Sequence, residues 1–481
     1  MTLTGPFSQP NQVDPDKNNW SPTVGITYSP SGTSGLLAKL FGDKKSVIRT
    51  GYQIGYDSFF NNIASNAAVA TPNVIATLSN SSVTSANPRG IPNWSTSMPT
   101  VARAPAPGDS QTLIIKNLVN PYYQRWSFGI QRELPANLLL DVSYVGSKGT
   151  KLFANEDLNP LVPSSMRITP ANTSASAALQ NRLDNLQGAR LTRTNGGDSN
   201  YNALQIGLDR RLAKGLLLKV SYAYSKNIDN ANDVFSLTNS NTPQNTALPS
   251  IYGGLHADRS VSQLDRTHRA TFSYVYEFPW QKAQEGVVGR VAGGWQVSGV
   301  TTFESGVPMT VTNGADADGI GGNWDRPMFN PSGTPGVRAQ YSASSATKYI
   351  NPDAAGSPAI DPNTAMFIGL PAFSGASTPA LTGNTGRNTL RLPGINNFNV
   401  NFFKGIRIAE RFRAEFRAEF YNIWNHPQYG VGSVGPFAPN SNSQIGNIAA
   451  AVQTSAAGRF LQPQFMDGGA RVIRYQLKLV F

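Results

Sequence analysis

The feature that most constrains this chain is a period of two. Arg471 to Phe481 reads RVIRYQLKLVF. Ile473, Tyr475, Leu477, Leu479 and Phe481 fall on one side of an extended segment. Arg474, Gln476 and Lys478 fall on the other, with Val480 as the exception. Successive side chains of a strand point to opposite faces, so this pattern predicts a strand with one apolar and one wet face.

The pattern recurs along the chain. Gln124 to Glu133 and Leu138 to Ser147 alternate on either side of the short link LPAN, which predicts a hairpin. Tyr201 to Arg210 and Leu216 to Lys226 repeat the device around RLAKG. His268 to Phe278 is answered by Trp295 to Phe303, Asn397 to Lys404 by Arg411 to Tyr421, and Thr23 to Tyr28 by Ser46 to Asp57. With the terminal segment, about eleven strands are expected. RFRAEFRAEFY also carries Phe412, Phe416 and Phe420 at helical spacing, in a context of good helix formers. Its neighbours and its charged row, Arg413, Glu415, Arg417 and Glu419 against Phe412, Ala414, Phe416, Ala418 and Phe420, favour a strand.

The connectors alternate as well. Short links follow Tyr28, Glu133, Arg210, Phe278 and Lys404. Long stretches rich in Gly, Pro, Asn, Ser and Ala, at 58–123, 148–200, 227–267, 304–394 and 422–471, separate the pairs. Membrane β-barrels have short turns on the periplasmic side and long loops outside. Counting back from Phe481, every short link falls on one side and every long one on the other. The expected fold is therefore all-β: an antiparallel transmembrane β-barrel, partial, with about eleven strands, spanning 1–481 as one unit in the outer membrane. The first and last strands run the same way by this count, so they could not close as an antiparallel pair. The alternative is a soluble or surface-attached β-sandwich binding module, adhesin-like, with the same apolar rows buried between two sheets.

The face assignments follow. Membrane-facing positions are Trp126, Phe128, Ile130, Leu140, Val142, Tyr144, Leu218, Val220, Tyr222, Phe272, Tyr274, Tyr276, Phe412, Phe416, Phe420, Tyr475, Leu477 and Leu479. Lumen-facing positions are Arg269, Glu277, Arg413, Glu415, Arg417, Glu419, Arg474, Gln476 and Lys478. An arginine turned to lipid costs roughly 2–4 kcal/mol at mid-membrane, which puts the charged rows inside.

Composition narrows the chemistry. Charged residues make up 14% of the 481, against roughly 25% in average soluble domains. There is no run of about 20 apolar residues such as a helical span needs. The absence of cysteine removes disulfides, thiolate catalysis and Cys-based metal sites. The net charge of +12 is scattered, without the dense basic run of a nucleic-acid binder; basic loops are expected to meet lipopolysaccharide phosphates. His256, His268 and His426 share no metal-ligand spacing. In NGADADG, Asp316 and Asp318 offer oxygen ligands of the kind calcium takes, but the twelve-residue ligand pattern is missing. A Gly-rich surface turn is the better reading. No catalytic, cofactor or metal site is assigned, and an enzyme is not expected.

The stretches WSPTVGITYSP, SVIRTGYQIGYD, NPYYQRWSFGIQREL, LLLDVSYVGSKGTKL, SNYNALQIGLDRRL, VSYAYSKNID, GGWQVSGVTTFESGVPMTV, GNTGRNTLRLPG and AEFYNIWNHPQYG carry a resemblance. In their order and spacing the chain resembles the C-terminal part of the barrel of TonB-dependent outer-membrane transporters, Oar-like group. The resemblance implies a barrel of about 22 strands closed around a plug, and substrate uptake driven by the inner-membrane TonB complex. No signal peptide, plug or TonB-contacting segment is evident, so the expectation is the C-terminal half of such a transporter, engaging TonB only if a plug is supplied. The resemblance also implies that Phe481 is read by the barrel-assembly machinery.

Overall fold

The computed structural model describes residues 13–31, 35, 41–58, 61–68, 70, 107–168, 177–231, 253–320, 325–354, 356–374, 380–409, 412–428 and 470–481. Arg411, residues 1–12 of the stretch read as lacking a signal peptide, and much of the long segments 58–123, 227–267 and 422–471 lie outside them.

Eleven strands form the main path of a 13-stranded sheet and follow one another in chain order; off that path, Gln111–Ile114 pairs parallel with the start of Arg190–Ala213, and Ser260–Val261 antiparallel with the end of Leu216–Asp229. The eleven are β1 (Thr23–Tyr28), β2 (Ser46–Tyr56), β3 (Tyr122–Leu134), β4 (Leu138–Asp157), β5 (Arg190–Ala213), β6 (Leu216–Asp229), β7 (His268–Glu277), β8 (Trp295–Glu304), β9 (Ile395–Arg407), β10 (Arg413–Tyr421) and β11 (Val472–Val480). Each pairs antiparallel with the next. The RAEFRAEFY segment is a strand, held between β9 and β11. Helix propensity yields because a strand there satisfies two neighbouring ladders at once. Since each neighbour reverses direction, β1 and β11 run the same way at the two edges of the sheet, and no pairing joins them among the described residues.

Local chemistry sets the turns. Lys214 (φ 52°) and Gly215 (φ 81°) connect β5 to β6 directly. Two consecutive left-handed residues are what a two-residue hairpin with matching twist requires. Between β3 and β4 the link is three residues, 135–137, and Ala136 (φ 64°) and Asn137 (φ 58°) turn left-handed within it. The links after Tyr28 and Glu277, read as short, run over 29–45 and 278–294 as the strand bounds imply, and are not tight turns; 278–294 carries a helix, Gly286–Ala292.

Two further expectations are corrected. The long loop expected at 148–200 is cut back to 158–189, because β4 runs for 20 residues, to Asp157, and β5 for 24, from Arg190. Register shifts between Gly149 and Leu152, and between Leu152 and Ala154, break the period of two there and hid the extension. Segment 304–394 is not structureless either. It holds a four-stranded sheet of Met328–Phe329, Thr334–Tyr341, Tyr349–Ile350 and Ala365–Gly369, and a two-stranded one of Pro308–Met309 with Leu390–Arg391. Val311 with Phe367, and Met309 with Leu392, form small apolar cores in this region. Their short pairings join residues far apart in sequence, such as Pro308 with Arg391, which alternation cannot reveal. Among the described residues, no helix is long and apolar enough to cross a membrane, which says nothing of strands.

Candidate functional site

Residues opposite one another in a ladder lie on the same face, so the registers can be followed across the whole sheet. Leu477 faces Phe416, Phe416 faces Lys404, and Lys404 faces Trp295. Val297 faces Tyr276, Tyr274 faces Leu218, Val220 faces Leu208, and Leu208 faces Leu140. Val142 faces Ile130, Ile130 faces Ile48, and Ile48 faces Tyr28. With alternation along each strand, all the apolar positions assigned above share one continuous face, with Phe412 just ahead of β10. Within it Phe272 packs edge-on against Phe303 at 6.2 Å, and Phe402 against Phe420 at 5.9 Å. Phe481 is exposed, its ring 6.5 Å from that of Phe412.

The other face is polar over the same span. Glu415 faces Lys478, Arg417 faces Gln476, Glu419 faces Arg474, and Glu277 faces Gln296. Arg413 pairs with Glu415 at 2.5 Å and Arg474 with Glu419 at 3.7 Å. Arg269 and Arg266 both reach Glu304, at 3.3 and 2.5 Å. Arg417 lies over the Phe403 ring at 5.4 Å, and Asn401 donates to Ser298 Oγ at 3.1 Å. Thus every charged position assigned above sits opposite the apolar face, among ion pairs and hydrogen-bonding side chains.

A second cluster lies at the end of the sheet where the long segments gather. Arg326 pairs with Asp258 at 2.8 Å, with both side chains at most 1% exposed. Burial lowers the Arg326 pKa and Asp258 opposes that fall. Arg387 pairs with Asp229 at the end of β6, and Arg391 reaches Asp265 at 2.5 Å. Alternation gives no sign of these pairs, whose partners lie far apart in sequence.

Asp316 and Asp318 are joined by Asp325, their carboxylate oxygens within 4.8 Å of one another. Asp325 Oδ2 accepts from the backbone N–H of Ala317 at 2.5 Å and Asp318 at 3.3 Å. Burial, then the charge of Asp318, push the Asp325 carboxyl up to about 7. The sequence pointed to the first two carboxylates; only the fold brings in the third. The histidines stay apart: the His268 ring lies 2.9 Å from Tyr222 Oη, and His426 accepts from Asn422 through its carbonyl.

A main path of eleven antiparallel strands in chain order, apolar on one face and polar on the other, with the shorter links at one end and the longer ones at the other, is the wall of a membrane β-barrel. The chain belongs to the outer membrane beta barrel domain family, whose profile matches residues 2–462. It is an outer-membrane protein of largely antiparallel β-structure, and a β-sandwich is not its fold. No curated protein matches it by sequence.

Solved structures similar to it include the outer membrane transporter YddB from Escherichia coli, at 7% identity and a TM-score of 0.41, covering 92% of this chain and 39% of that one. The ferripyoverdine receptor of Pseudomonas aeruginosa shows 9% identity and a TM-score of 0.34, over 85% of this chain and 29% of that one. The ferric-catecholate import receptor Fiu of E. coli K12 shows 8% and 0.34, over 95% and 34%. The chain therefore spans well under half the length of these outer-membrane transporters and receptors.

Proposed function

We propose that the chain is the C-terminal portion of the barrel of a TonB-dependent transporter of the Oar-like group, serving uptake of a substrate yet to be identified. Its apolar face meets outer-membrane lipid, its polar face lines the lumen, and its long segments face outward, where lipopolysaccharide phosphates meet their basic residues. Phe481 is the signal to the barrel-assembly machinery, and coupling to the inner-membrane TonB complex requires a plug from outside this stretch. Its work is passage, not bond-breaking.

The observation that carries this reading is the unbroken eleven-strand ladder with all its assigned apolar residues on one face. That face is exposed on strands held between two neighbours as well: Phe128, Tyr144 and Phe416 are 50%, 42% and 38% exposed. The order of the sequence stretches favours the Oar-like group, and the parallel edges favour a partial wall.

Because the chain lacks cysteine, single cysteines can be read without background. In outer-membrane vesicles, a reagent dissolved in the bilayer is expected to label Leu218→Cys and Leu479→Cys and to spare Lys219→Cys and Lys478→Cys. Labelling of the two lysine positions instead would reverse the assignment of the faces.

A further inference from the structure

The link between β7 and β8 is far longer than a tight turn and carries its own apolar surface. It leaves the sheet through Tyr276, Phe278 and Trp280, with Tyr276 edge-on to Phe278 at 5.1 Å and Phe278 stacked on Trp280 at 5.0 Å. It returns at Trp295, on the apolar face. Between them, the helix Gly286–Ala292 packs against β9.

What fixes the helix there is Lys404. The register sets this lysine on the apolar face, opposite Trp295 and Phe416. It is nonetheless only 5% exposed. Its Nζ donates to the carbonyls of Arg290 at 2.7 Å, Val291 at 2.9 Å and Gly293, and lies 5.1 Å from the Trp295 ring. The last carbonyls of a helix have no partner within it and carry partial negative charge. The helix C-terminus therefore neutralises a cation that the apolar face could not otherwise tolerate. Two more bonds pin the assembly. Trp295 Nε1 donates to the Val291 carbonyl at 2.9 Å, and Gln284 Nε2 to the Gly405 carbonyl at 2.8 Å.

Held this way, the helix turns its valines outward. Val287, Val288 and Val291 are 78%, 73% and 66% exposed, and their spacing puts them on one side of the helix. Trp280, in the same link, is also exposed. Lys282 and Arg290 are exposed in the same link. Apolar side chains, a belt of tryptophan and nearby cations are the composition of a segment lying in the plane of a membrane interface. The patch is also continuous, through Tyr276 and Trp295, with the apolar face of the sheet.

We infer that the helix Gly286–Ala292 is an interfacial anchor that docks on phospholipids of the periplasmic leaflet. Val287, Val288 and Val291 enter the acyl region, Trp280 and Trp295 sit at headgroup depth, and Lys282 and Arg290 meet lipid phosphate. This rests on the outward direction of the apolar face proposed above. Lys404 serves as a positioning residue that holds the helix on the wall.

The test uses the full chain in phosphatidylethanolamine/phosphatidylglycerol vesicles with brominated acyl chains. Val288→Cys and Val220→Cys each carry a bimane fluorophore; Val220, mid-strand on the apolar face, reports the direction of that face alone. Both labels are expected to be quenched at least twofold relative to unbrominated vesicles, and to be shielded from aqueous iodide. Quenching of Val220→Cys alone, with Val288→Cys open to iodide, overturns the anchor and leaves the wall assignment standing. Quenching of neither overturns both. Lys404→Met should release the helix, so that iodide quenches Val288→Cys while Val220→Cys stays shielded. Unchanged shielding at Val288→Cys in that background overturns the role given to Lys404.

Discussion

The indole of Trp126 lies across Gly146, its direct partner on the neighbouring strand. A Cβ at position 146 would collide with the ring. Tyr274 and Gly299, opposite one another between β7 and β8, repeat the relationship, with the space for a Cβ lying 2.7 Å from the phenol oxygen. An aromatic ring laid over a glycine covers backbone that has no side chain of its own and pins the register of the pair. Gly146→Val should therefore displace Trp126 and cost about 1–3 kcal/mol, as overpacking does. Thermal unfolding of the folded protein in detergent measures it. Trp126→Leu in the same chain should return much of the loss.

Leu477 and Lys478 are sequence neighbours on opposite faces of β11. Leu477→Arg should destabilise the membrane-inserted protein by about 2–4 kcal/mol if the site lies near mid-bilayer. Lys478→Leu should change it little, since Lys478 faces Glu415 on the polar side. Urea titration of vesicle-embedded protein compares the two, and equal losses would contradict the assignment.

Removing one member of a buried ion pair is destabilising. Arg326→Met should cost the long-segment cluster about 3–5 kcal/mol, because it takes a buried ion-pair partner from Asp258. Combining it with Asp258→Leu should recover much of that. Hydrogen exchange in 254–261 and 325–329 provides the readout, while the strands of the main sheet should exchange as before.

Asp325 makes the segment around 316–325 sensitive to pH. Its carboxyl is raised in the folded protein from an ordinary value of 3.8 to about 7. The folded state therefore holds a proton the unfolded one has lost, and stability falls as pH rises through that window. Local hydrogen exchange at Ala317 and Asp318 is expected to be slowest near pH 4, after correction for intrinsic rates, and to quicken towards pH 7. Asp325→Asn, which keeps the acceptor for both amides, should flatten the profile.

Much of this architecture is legible in the sequence, because a strand between two solvents must alternate. The hairpins around LPAN and RLAKG, the strand at RAEFRAEFY and the two faces all follow from that rule. It fails where the alternation itself is interrupted, as at Gly149–Ala154, so β4 and β5 extend further than their pattern indicates. It is silent on Asp258–Arg326 and Asp229–Arg387, on the approach of Asp325 to Asp316 and Asp318, and on Lys404. Those arrangements depend on contacts between distant segments, and nothing in the local order of residues encodes them.

The like orientation of β1 and β11 has a consequence for assembly. A second molecule inserted the same way up would present each border with a strand pointing in its own direction, so a ring of two copies would contain two parallel seams. Sealing both borders with antiparallel bonds instead demands an odd number of added strands, whose outermost members point against β1 and β11. Arithmetic of direction alone thus selects an unlike complement over a twin.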